Sequence, residues 1–435
     1  MDKQAITIFW FRRDLRLHDN AGLYRALNSG NPVLGLFIFD KEILNDLEDK
    51  DDARVSFIHE NVDGLKKELE KHHSSLIIKY DKPESAFKEI IKEYNVAAVY
   101  TNRDYEPYAK ERDSQMAQLL KKHDIDFKDF KDQVIFDNDE VLKDDKKPYT
   151  VFTPYKNKWL HTLKPFYLKS YPTDKYFKNL FHTKPLKDVS LKEMGFVPTT
   201  QKYPPLQYKK VIDNYVNTRN YPAIEGTSHA DVHLRFGTLS IRELATEASK
   251  AKERTWLNEL IWREFYMMVL NHFPDTMSHA YRPEYDRIKW RNNEAEFKLW
   301  CEGKTGYPLV DAGMREINAT GFMHNRVRMV VASFLVKHLL IDWRWGEHYF
   351  ARHLLDYEAS SNVGNWQWVA GSGTDTMPYF RIFNPEAQLE KFDKKLIYVK
   401  KWVPEYGTDE YPEPMVDNRE ARDRCLKVYK AAVAK

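Results

Sequence analysis

Two alternating patterns of apolar residues run through the first 130 positions of the chain. Short apolar runs rich in β-branched and aromatic residues are separated by longer stretches in which apolar residues recur every three or four positions. Strands that alternate with helices favour a parallel sheet, and strands without polar alternation are typical when helices cover both faces. The predicted strands lie at residues 6–11, 31–40, 74–81 and 96–102, and the predicted helices at 19–30, 53–72 and 83–93.

The pattern changes beyond this region. Residues 164–210 are rich in Lys, Pro, Tyr and Thr and have a weak apolar period, which predicts a long connection over the surface. From residue 211 onward, apolar residues at three- and four-residue spacing predict helices, and we predict no strand or internal repeat there. We therefore expect an α/β domain at 1–130, an interdomain linker at 131–210 and an all-helical domain at 211–435.

Composition narrows the classes of function. Aromatic residues make up 14% of the chain, including 11 Trp, and must pack in a core or against a planar ligand. The net charge of +3 permits binding to nucleic acid without demanding it. Cys301 and Cys425 are the two cysteines and support neither a disulfide framework nor a cysteine-based metal site, so no metal is expected. Without a signal pattern or an apolar run of about 18 residues, we expect a cytoplasmic protein with no membrane segment.

The first predicted strand leads into a basic strand-to-helix turn, WFRRDLRLHDN (10–20). Asp19 or Asn20 can cap the helix that follows, because short polar side chains accept hydrogen bonds from the first free N–H groups of a helix. The turn contains no glycine-rich fingerprint, so a dinucleotide bound at this turn is not supported.

A second candidate segment, GTSHADVHLRFG (226–237), places small and hydroxylated residues before a predicted helix. The free N–H groups and the dipole of such a helix start can bind a phosphate. The alternative is a plain helix cap at Thr227 or Ser228, without a ligand.

Two predicted helices carry further candidate chemistry. In MHNRVRM, Arg326 and Arg328 are two positions apart and point in different directions, so one can face a buried carboxylate while the other faces solvent or DNA. In NELIWREF, Glu259 and Trp262 are three positions apart and share a helix face, where an aromatic ring can stack on an unstacked base. A solvated basic patch and a core tryptophan are the respective alternatives.

Six sequence blocks, taken together and in this order, resemble the photolyase/cryptochrome family. The resemblance spans nearly the whole chain and is greatest to class I cyclobutane pyrimidine dimer photolyases. One block alone is weak support, whereas six in order are specific. The blocks are WFRRDLRLHDN (10–20), KPYTVFTPYKNKW (147–159), EGTS (225–228), NELIWREFY (258–266), GYPLVDAGMREINATGFMHNRVRM (306–329) and NWQWVAGSGTDTMPYFRIFNP (365–385).

The resemblance implies both a fold and a reaction. The fold class is α/β plus all-α: an N-terminal Rossmann-like domain with a doubly wound parallel sheet, a long linker, and a C-terminal all-helical domain that binds FAD. The activity is that of a deoxyribodipyrimidine photolyase, a carbon–carbon lyase. Reduced FAD, excited by blue or near-ultraviolet light, donates an electron to a flipped-out cyclobutane pyrimidine dimer, the ring splits and the electron returns. The implied partner is UV-damaged DNA, and the implied state is a monomer.

A set of FAD contacts also follows from the resemblance. Arg328 would pair with Asp356 beside the isoalloxazine ring, and Asn362 would face the flavin N5. The family usually has Ser-Arg-Leu-Ser at 228–231, whereas Asp231 here brings a negative charge to the diphosphate that His229 or a cation can offset. In the segment after Asp356, Tyr357 and Glu358 replace the usual glycine and second aspartate. The implied FAD contacts are Tyr215, Thr227, Ser228, His229, Ala230, Asp231, Trp256, Arg263, Asn325, Arg328, Asp356, Tyr357, Glu358 and Asn362.

The resemblance assigns the remaining chemistry to three groups of residues. Trp262 would stack on the extruded bases, Glu259 would hydrogen-bond to them, and Trp368 would form the opposite wall. The implied catalytic set is Glu259, Trp262, Asn362, Met329 and Trp368; the electron-transfer chain is Trp366, Trp343 and Trp290; and the DNA contacts are Arg219, Glu259, Trp262, Asn325, Arg326, Trp368, Arg381 and Lys391.

An antenna chromophore and the choice within the family stay open. Folate-binding relatives carry Asn-Glu where this chain has Tyr108 and Ala109, which disfavours folate and leaves a deazaflavin, a flavin or no antenna. The competing functions are a cryptochrome-type blue-light photoreceptor and a (6-4) photolyase. Trp262 and Met329 favour repair over the cryptochrome function, while His229 and His233 keep the (6-4) activity open.

Overall fold

The structure is a computed structural model that describes residues 4–201 and 203–434. Within these residues the chain forms two compact units, each built from several segments. The first unit comprises the described parts of Met1–Asp137, Leu163–Thr200 and Asp231–Glu247, and the second comprises those of Asn138–Thr162, Gln201–Ala230 and Ala248–Lys435. The predicted domain limits at 130/131 and 210/211 stay a prediction.

The first unit is built around a parallel sheet. Its strand order, β3-β2-β1-β4-β5, reverses direction at β1, so that β1 lies between β2 and β4. Phe9 of β1 is opposite Gly35 on one side and Tyr100 on the other. This is the doubly wound arrangement that the alternating pattern predicts. The strands are β1 Ala5–Phe11, β2 Val33–Asp40, β3 Leu76–Asp81, β4 Asn95–Asn102 and β5 Asp126–Phe130.

The helices of both units are numbered in chain order. They are α1 Ala21–Leu27, α2 Lys41–Leu44, α3 Ala53–Lys71, α4 Pro83–Glu93, α5 Pro107–Lys121, α6 Phe152–Thr162, α7 Tyr208–Val211, α8 Tyr215–Thr218, α9 Asp231–Phe236, α10 Ile241–Lys250, α11 Thr255–His272, α12 Glu294–Glu302, α13 Pro308–Thr320, α14 Asn325–Ser333, α15 Trp343–His353, α16 Ala359–Ala370, α17 Pro385–Phe392, α18 Ile397–Trp402 and α19 Asn418–Val433. A π-helical turn, Phe334–His338, follows α14.

The burial of each strand explains whether the sequence pattern predicted it. All eight residues of β2 are buried, as expected for a central strand covered on both faces. Edge strand β5, with the sequence DFKDF, is mostly exposed and was missed because the prediction expected apolar strands throughout. Charged residues on an edge strand protect its free N–H and C=O groups from pairing with another chain. Asn20 caps α1 by accepting from the N–H of Leu23 at 3.0 Å, which confirms one of the two predicted caps.

The region predicted as a surface connection is partly built into the first unit. Residues 165–168 and 173–179 form 3₁₀ helices. The N–H of Phe181 donates to the carbonyl of Val33 at 2.7 Å, and Leu180 forms a bridge with the same residue. The side chain of Leu180 is buried. Lys- and Pro-rich composition conceals this packing, because only a few apolar residues in the segment carry it.

The regular secondary structure of the second unit is helical in its described residues, as predicted. Its main apolar core is formed by α13, α14, α15 and α16. Trp343 and Trp366 are 2% exposed and belong to this core, and Trp290 packs against it. None of the described helices combines the length and the hydropathy that a membrane crossing requires. The described residues also contain no cluster of three His, Cys, Asp or Glu side chains placed to hold a metal ion.

Candidate functional site

The side chains of Glu259 and Trp262 lie half-buried on α11. The indole of Trp262 stacks flat on the ring of Phe152, with ring centroids 3.6 Å apart and planes 5° apart. Tyr266, one turn further along α11, lies 5.5 Å from the Trp262 centroid. The predicted shared face is therefore present, and Phe152 covers one face of the indole.

Helix α6 carries Phe152 and is anchored by a hydrogen bond near each of its ends. Phe152 is the first residue of α6, and its N–H donates to Oδ2 of Asp375 at 3.1 Å. Near the other end, the buried Nε1 of Trp159 donates to Oε1 of Glu264 at 2.6 Å. The sequence analysis missed both Phe152 and Asp375. The sequence indicated these two residues only in that each lies within one of the blocks that resemble the family.

Arg219 and Glu259 form an ion pair, in which Nη1 of Arg219 donates to Oε1 of Glu259. Burial raises the pKa of Glu259, and the charge and hydrogen bond of Arg219 oppose that rise. The guanidinium of Arg219 also lies 5.2 Å above the ring of Tyr215. The sequence analysis placed Arg219 among the DNA contacts and Glu259 at the lesion, and the structure brings the two side chains together.

Arg326 and Arg328 on α14 point to different partners, as their spacing predicts. Nη2 of Arg328 donates to Oδ2 and Oδ1 of Asp356 at 3.0 and 3.2 Å, which is the predicted ion pair. Nη2 of Arg326 donates to Oδ1 of Asn220 at 2.7 Å, and its guanidinium lies 4.5 Å above the ring of Phe392. On the same helix, Asn325 is exposed and Met329 is half-buried.

The amide of Asn362 is oriented by α15. Its Nδ2 donates to the carbonyl of Glu347 at 3.1 Å and to Oε1 of the same residue at 3.0 Å. Because an amide has its donors and its acceptor on opposite sides, these bonds turn Oδ1 away from Glu347. Close by, Nη2 of Arg263 lies 3.5 Å from Oε2 of Glu358, which is buried. The half-buried Tyr357 precedes this carboxylate.

The loop that precedes α9 differs from the prediction. Neither Thr227 nor Ser228 caps the helix, because α9 begins only at Asp231. His229 adopts a left-handed conformation, with φ of 50°, which interrupts a helical path from Ser228. Ser228 instead accepts from the N–H of Ala230 at 3.4 Å. The predicted cap positions are therefore loop residues.

His229 and His324 are both buried, with 4% and 3% exposure. Nε2 of His229 lies 3.7 Å from Oε2 of Glu225. His324 caps α14, accepting from the N–H of Arg326 at 3.1 Å. Burial and the nearby charges of Arg326 and Arg328 lower the pKa of His324 to about 3. His324 is therefore a neutral ring whose proton lies on Nε2.

The three tryptophans of the predicted electron-transfer chain occupy one aromatic region. Trp366 and Trp343 are core residues, whereas Trp290 is half-buried. Trp366 packs edge-to-face on Phe350 at 5.0 Å, and Trp290 packs edge-to-face on Tyr429 at 6.0 Å. Trp290 is the most exposed of the three, whereas Trp366 and Trp343 are equally buried, so the order of these two stays a prediction.

The remaining candidates are placed as follows. Trp256 is buried beside Tyr208, with ring centroids 6.2 Å apart. Trp368 is half-buried, and its carbonyl accepts from Oγ1 of Thr376 at 2.6 Å. Arg381 and Lys391 are exposed, as a phosphate contact requires. In the first unit, the hydroxyl of Tyr108 donates to Oδ2 of Asp40 at 2.5 Å, and Ala109 is buried.

Comparisons with known proteins identify the family. Residues 7–175 match the family model described as DNA photolyase, and residues 256–409 match the FAD-binding domain of DNA photolyase. The chain is 36% identical over 477 residues to the deoxyribodipyrimidine photo-lyase of Synechococcus sp., an alignment that covers 99% of this chain and 98% of the relative. The chain belongs to the DNA photolyase family. The resemblance predicted from the sequence is thereby confirmed, as is the expectation of an enzyme of the photolyase class.

Solved photolyase structures share the fold. A bacterial class III photolyase from Agrobacterium tumefaciens is 33% identical, has a TM-score of 0.89 and aligns over 99% of this chain and 98% of its own. An archaeal photolyase from Sulfolobus tokodaii, solved with two FAD molecules, is 32% identical, has a TM-score of 0.81 and aligns over 98% of this chain and 99% of its own. The predicted fold class is confirmed, and the FAD-binding domain supports FAD as the cofactor.

The described side chains of the second unit are compatible with bound FAD. Nδ1 of His229 and Nε2 of His324 are buried and have no hydrogen-bond partner among the described residues. Buried polar atoms without a partner are costly, so both nitrogens are suited to bond a ligand. Asn362 offers an oriented amide oxygen, and the Arg328–Asp356 pair supplies a cation and an anion with fixed positions.

Proposed function

We propose that this chain repairs cyclobutane pyrimidine dimers in DNA by using light absorbed by reduced FAD. The observation that carries the proposal is the half-buried face of α11. There Glu259 lies one helical turn from Trp262, whose ring stacks on Phe152. A flat aromatic ring next to an ionisable group suits an unstacked base, which needs a stacking surface and a hydrogen-bond partner. The photolyase relatives support the same activity.

FAD would be held mainly by residues of the second unit. When bound, reduced FAD supplies the electron that passes to the dimer on excitation and returns after the cyclobutane ring has split. The diphosphate would contact Thr227, Ser228 and His229, because they lie on a loop in which Nδ1 of His229 has no hydrogen-bond partner among the described residues. Arg328 and Asp356 would orient the isoalloxazine ring, and the remaining contacts would come from Tyr215, Ala230, Asp231, Trp256, Arg263, Asn325, Tyr357 and Glu358.

Asn362 would tune the flavin through hydrogen bonding. Glu347 holds its Nδ2, so that Oδ1 is presented as an acceptor for a flavin N–H. An acceptor at a fixed position favours the protonated, reduced ring over the oxidised one, because only the reduced ring has a proton at N5 to donate. This contribution orients and stabilises the cofactor.

Trp262, Trp368, Glu259 and Met329 would surround the lesion. Trp262 provides one wall, and Trp368 the other. Burial raises the pKa of Glu259 and so favours its protonated form, which can donate a hydrogen bond to a base carbonyl. Excess negative charge arriving on the dimer would strengthen that bond, so Glu259 would stabilise the dimer during ring opening.

DNA would bind through cations that neutralise phosphates and through polar groups at the mouth of the pocket. Arg326, Arg381, Lys391 and Arg219 are the candidate cations, and Asn325 is an exposed polar candidate. Phosphate contacts supply affinity, whereas the flipped lesion supplies specificity. The monomeric state and a cytoplasmic location remain predictions.

Trp366, Trp343 and Trp290 would carry electrons from the surface to the flavin and so restore its reduced state. The half-buried position of Trp290 beside the buried Trp343 and Trp366 supports its place at the surface end of this chain. For the first unit, we propose an antenna of flavin or deazaflavin type. The Tyr108–Asp40 hydrogen bond at the position where folate-binding relatives carry Asn supports this choice, and the Sulfolobus tokodaii relative contains two FAD molecules. Chromatography of the chromophores released on denaturation tests it, and a recovered folate would contradict it.

Repair of ultraviolet-irradiated oligo(dT) by the purified, photoreduced protein tests the proposed function. We expect dimers to disappear under blue light and to persist in the dark, and we expect Glu259→Ala and Trp262→Ala to slow the loss strongly. The far-ultraviolet spectrum and the FAD content of each variant serve as folding controls. A yellow, photoreducible protein that repairs no dimer would contradict the proposal and favour light sensing or another lesion.

A further inference from the structure

We propose that the adjacent residues Asp375 and Thr376 are positioning residues that hold the two tryptophan walls of the lesion pocket at a fixed separation. The inference rests on the proposed function, in which Trp262 and Trp368 enclose the flipped lesion. Asp375 accepts a hydrogen bond from the N–H of Phe152, whose ring stacks on Trp262, and Thr376 donates a hydrogen bond to the carbonyl of Trp368. Two neighbouring residues of one loop are thus bonded to both walls, one through Phe152 and one directly.

The Asp375 contact acts on the start of α6. Its Oδ2 accepts from the N–H of Phe152 at 3.1 Å, one of the helix N–H groups that lack an intrahelical partner. A carboxylate at this place is also stabilised by the helix dipole. Because the Phe152 ring stacks 3.6 Å from Trp262, the hydrogen bond fixes the surface on which the indole rests. Without it, the first turn of α6 can fray and the ring can tilt.

The Thr376 contact acts on the end of α16. Its Oγ1 donates to the carbonyl of Trp368 at 2.6 Å, in the last turn of the helix, where carbonyl groups lack intrahelical partners. This bond fixes the backbone from which the Trp368 side chain projects. Trp262 and Trp368 belong to different helices, so their separation depends on such ties between α11, α6 and α16.

The loop that carries Asp375 and Thr376 is anchored at its base by hydrogen bonds, so it can keep the separation between Trp262 and Trp368 constant. The N–H groups of Ser372 and Gly373 donate to the carbonyl of Gln367 at 3.0 and 3.2 Å. Gln367 is buried, and its Nε2 donates to the carbonyls of Thr276 and His279, each at 2.8 Å. A loop anchored in this way moves with α16.

Two properties of Asp375 indicate that it has a structural role beyond that of an ordinary surface loop residue. It adopts a left-handed conformation with φ of 45°, which is unfavourable for a non-glycine residue and persists where surrounding contacts hold it. Its charge also faces Tyr266, whose pKa is raised by burial and by Asp375. A carboxylate near a surface that receives anionic DNA opposes binding electrostatically, so its presence is better explained by the contact it makes with Phe152.

The experiment compares binding of the full-length holoprotein to dimer-containing and undamaged oligo(dT), with the ratio of the two dissociation constants as the lesion preference. We expect Asp375→Ala to lower this ratio by about 5- to 10-fold, the lower part of what one lost base stack is worth, while affinity for undamaged DNA does not fall, because the substitution removes a negative charge. Asp375→Asn keeps an oxygen acceptor for the Phe152 N–H and should retain most of the ratio. Thr376→Val should reproduce the loss through the other wall.

Asp417→Ala is the matched control. Asp417 caps α19 by accepting from the N–H of Glu420 at 2.8 Å, so this variant loses the same kind of helix contact away from both walls. Its lesion preference should equal that of the wild type. An equal loss in Asp417→Ala, or a wild-type ratio in both Asp375→Ala and Thr376→Val, would overturn the inference. Equal behaviour of Asp375→Ala and Asp375→Asn would also count against it.

Failure of this inference is distinguishable from failure of the proposed function. If the wild-type protein shows no lesion preference, or Trp262→Ala retains it, the lesion pocket itself is wrong and the inference falls with it. The other case is that the wild type prefers the lesion and Trp262→Ala has lost this preference, whereas Asp375→Ala and Thr376→Val have kept it. In that case only the positioning role is wrong. FAD absorbance of each variant verifies that the protein is folded before binding is compared.

Discussion

Arg219 donates a hydrogen bond from its Nη1 to Oε1 of Glu259, and the two charges are held together at the half-buried face of α11. Burial raises the pKa of Glu259, and Arg219 lowers it again in part. The pair therefore controls how readily Glu259 carries a proton. This control leads to a prediction about the pH dependence of repair.

Arg219→Gln removes the cation and leaves burial unopposed, so the pKa of Glu259 should rise. If protonated Glu259 donates to the lesion, the decline in repair rate at high pH should move to higher pH in Arg219→Gln. The measurement is the single-turnover repair rate against pH at saturating DNA. Glu259→Gln, which cannot titrate, should show no such decline, and an unchanged or lower midpoint in Arg219→Gln would argue against the donor role.

Trp262 and Arg326 should have separable effects on DNA binding. Arg326→Ala should weaken binding to damaged and undamaged DNA alike and reduce the slope of log affinity against log salt by about 1, since a phosphate contact carries no lesion information. Trp262→Ala should instead lose about 1–3 kcal/mol of lesion preference, the worth of one base stack. Titrations at two salt concentrations measure both quantities. An equal loss of lesion preference in the two variants would contradict this division.

Trp343 should be needed for photoreduction of FAD but not for repair. Phenylalanine is much harder to oxidise than tryptophan, so Trp343→Phe should lose most of the light-driven reduction of oxidised FAD. Chemically reduced Trp343→Phe should still repair dimers at the wild-type rate. Trp345→Phe is the matched control, because Trp345 packs against the same core and has no place in the proposed chain. Equal loss in both variants would indicate a general packing effect.

FAD affinity should increase as pH falls, through His229. Burial lowers the pKa of His229, and the nearby Glu225 partly offsets the effect. The imidazole is therefore neutral at pH 7 before FAD binds, and acidification adds a positive charge beside the diphosphate. Titration of the apoprotein with FAD between pH 6 and 8 measures this trend. His229→Gln should flatten it, whereas His229→Arg should bind tightly at every pH, and an unchanged trend in His229→Gln would place the titrating group elsewhere.

Glu316 should make the stability of the protein depend on pH. Burial raises its pKa from 4.5 to about 7, opposed by hydrogen bonds from the hydroxyl of Tyr398 and the N–H of His324. A carboxyl group whose pKa is higher in the folded state stabilises the fold fully below pH 4.5, and this stability is lost as pH rises toward 7. The loss is about 3 kcal/mol at most. Glu316→Gln should therefore gain stability relative to the wild type when the unfolding temperature is compared at pH 8 and pH 5.

The local elements of the first unit were largely predictable. The apolar runs of β1 to β4 and the amphipathic stretches of α3 and α4 have strong periodicity, because buried central strands and surface helices impose it. Strand β5 was missed, since an exposed edge strand has no apolar run, and helix α6 of the second unit was missed because it buries only scattered aromatic residues. The start of α9 was placed too early, because composition does not reveal the left-handed backbone at His229.

The candidate site was predictable only as a set of residues. The Arg328–Asp356 pair was expected and is present, because a buried guanidinium needs a carboxylate and the family blocks supplied one. Phe152, Glu347 and Asp375 were not expected. Each acts on a residue more than 10 positions away in the chain, so no local spacing rule could have associated them with Trp262 or Asn362.

The amino-acid sequence by itself determined the alternating α/β pattern, the helical second half and membership of the DNA photolyase family, because periodicity and motif order are properties of the chain. Only the tertiary structure decided which side chains meet. It placed Phe152 under Trp262 and Arg219 against Glu259. Such contacts depend on how helices pack, and packing is set by the summed fit of many distant side chains, which no short segment encodes.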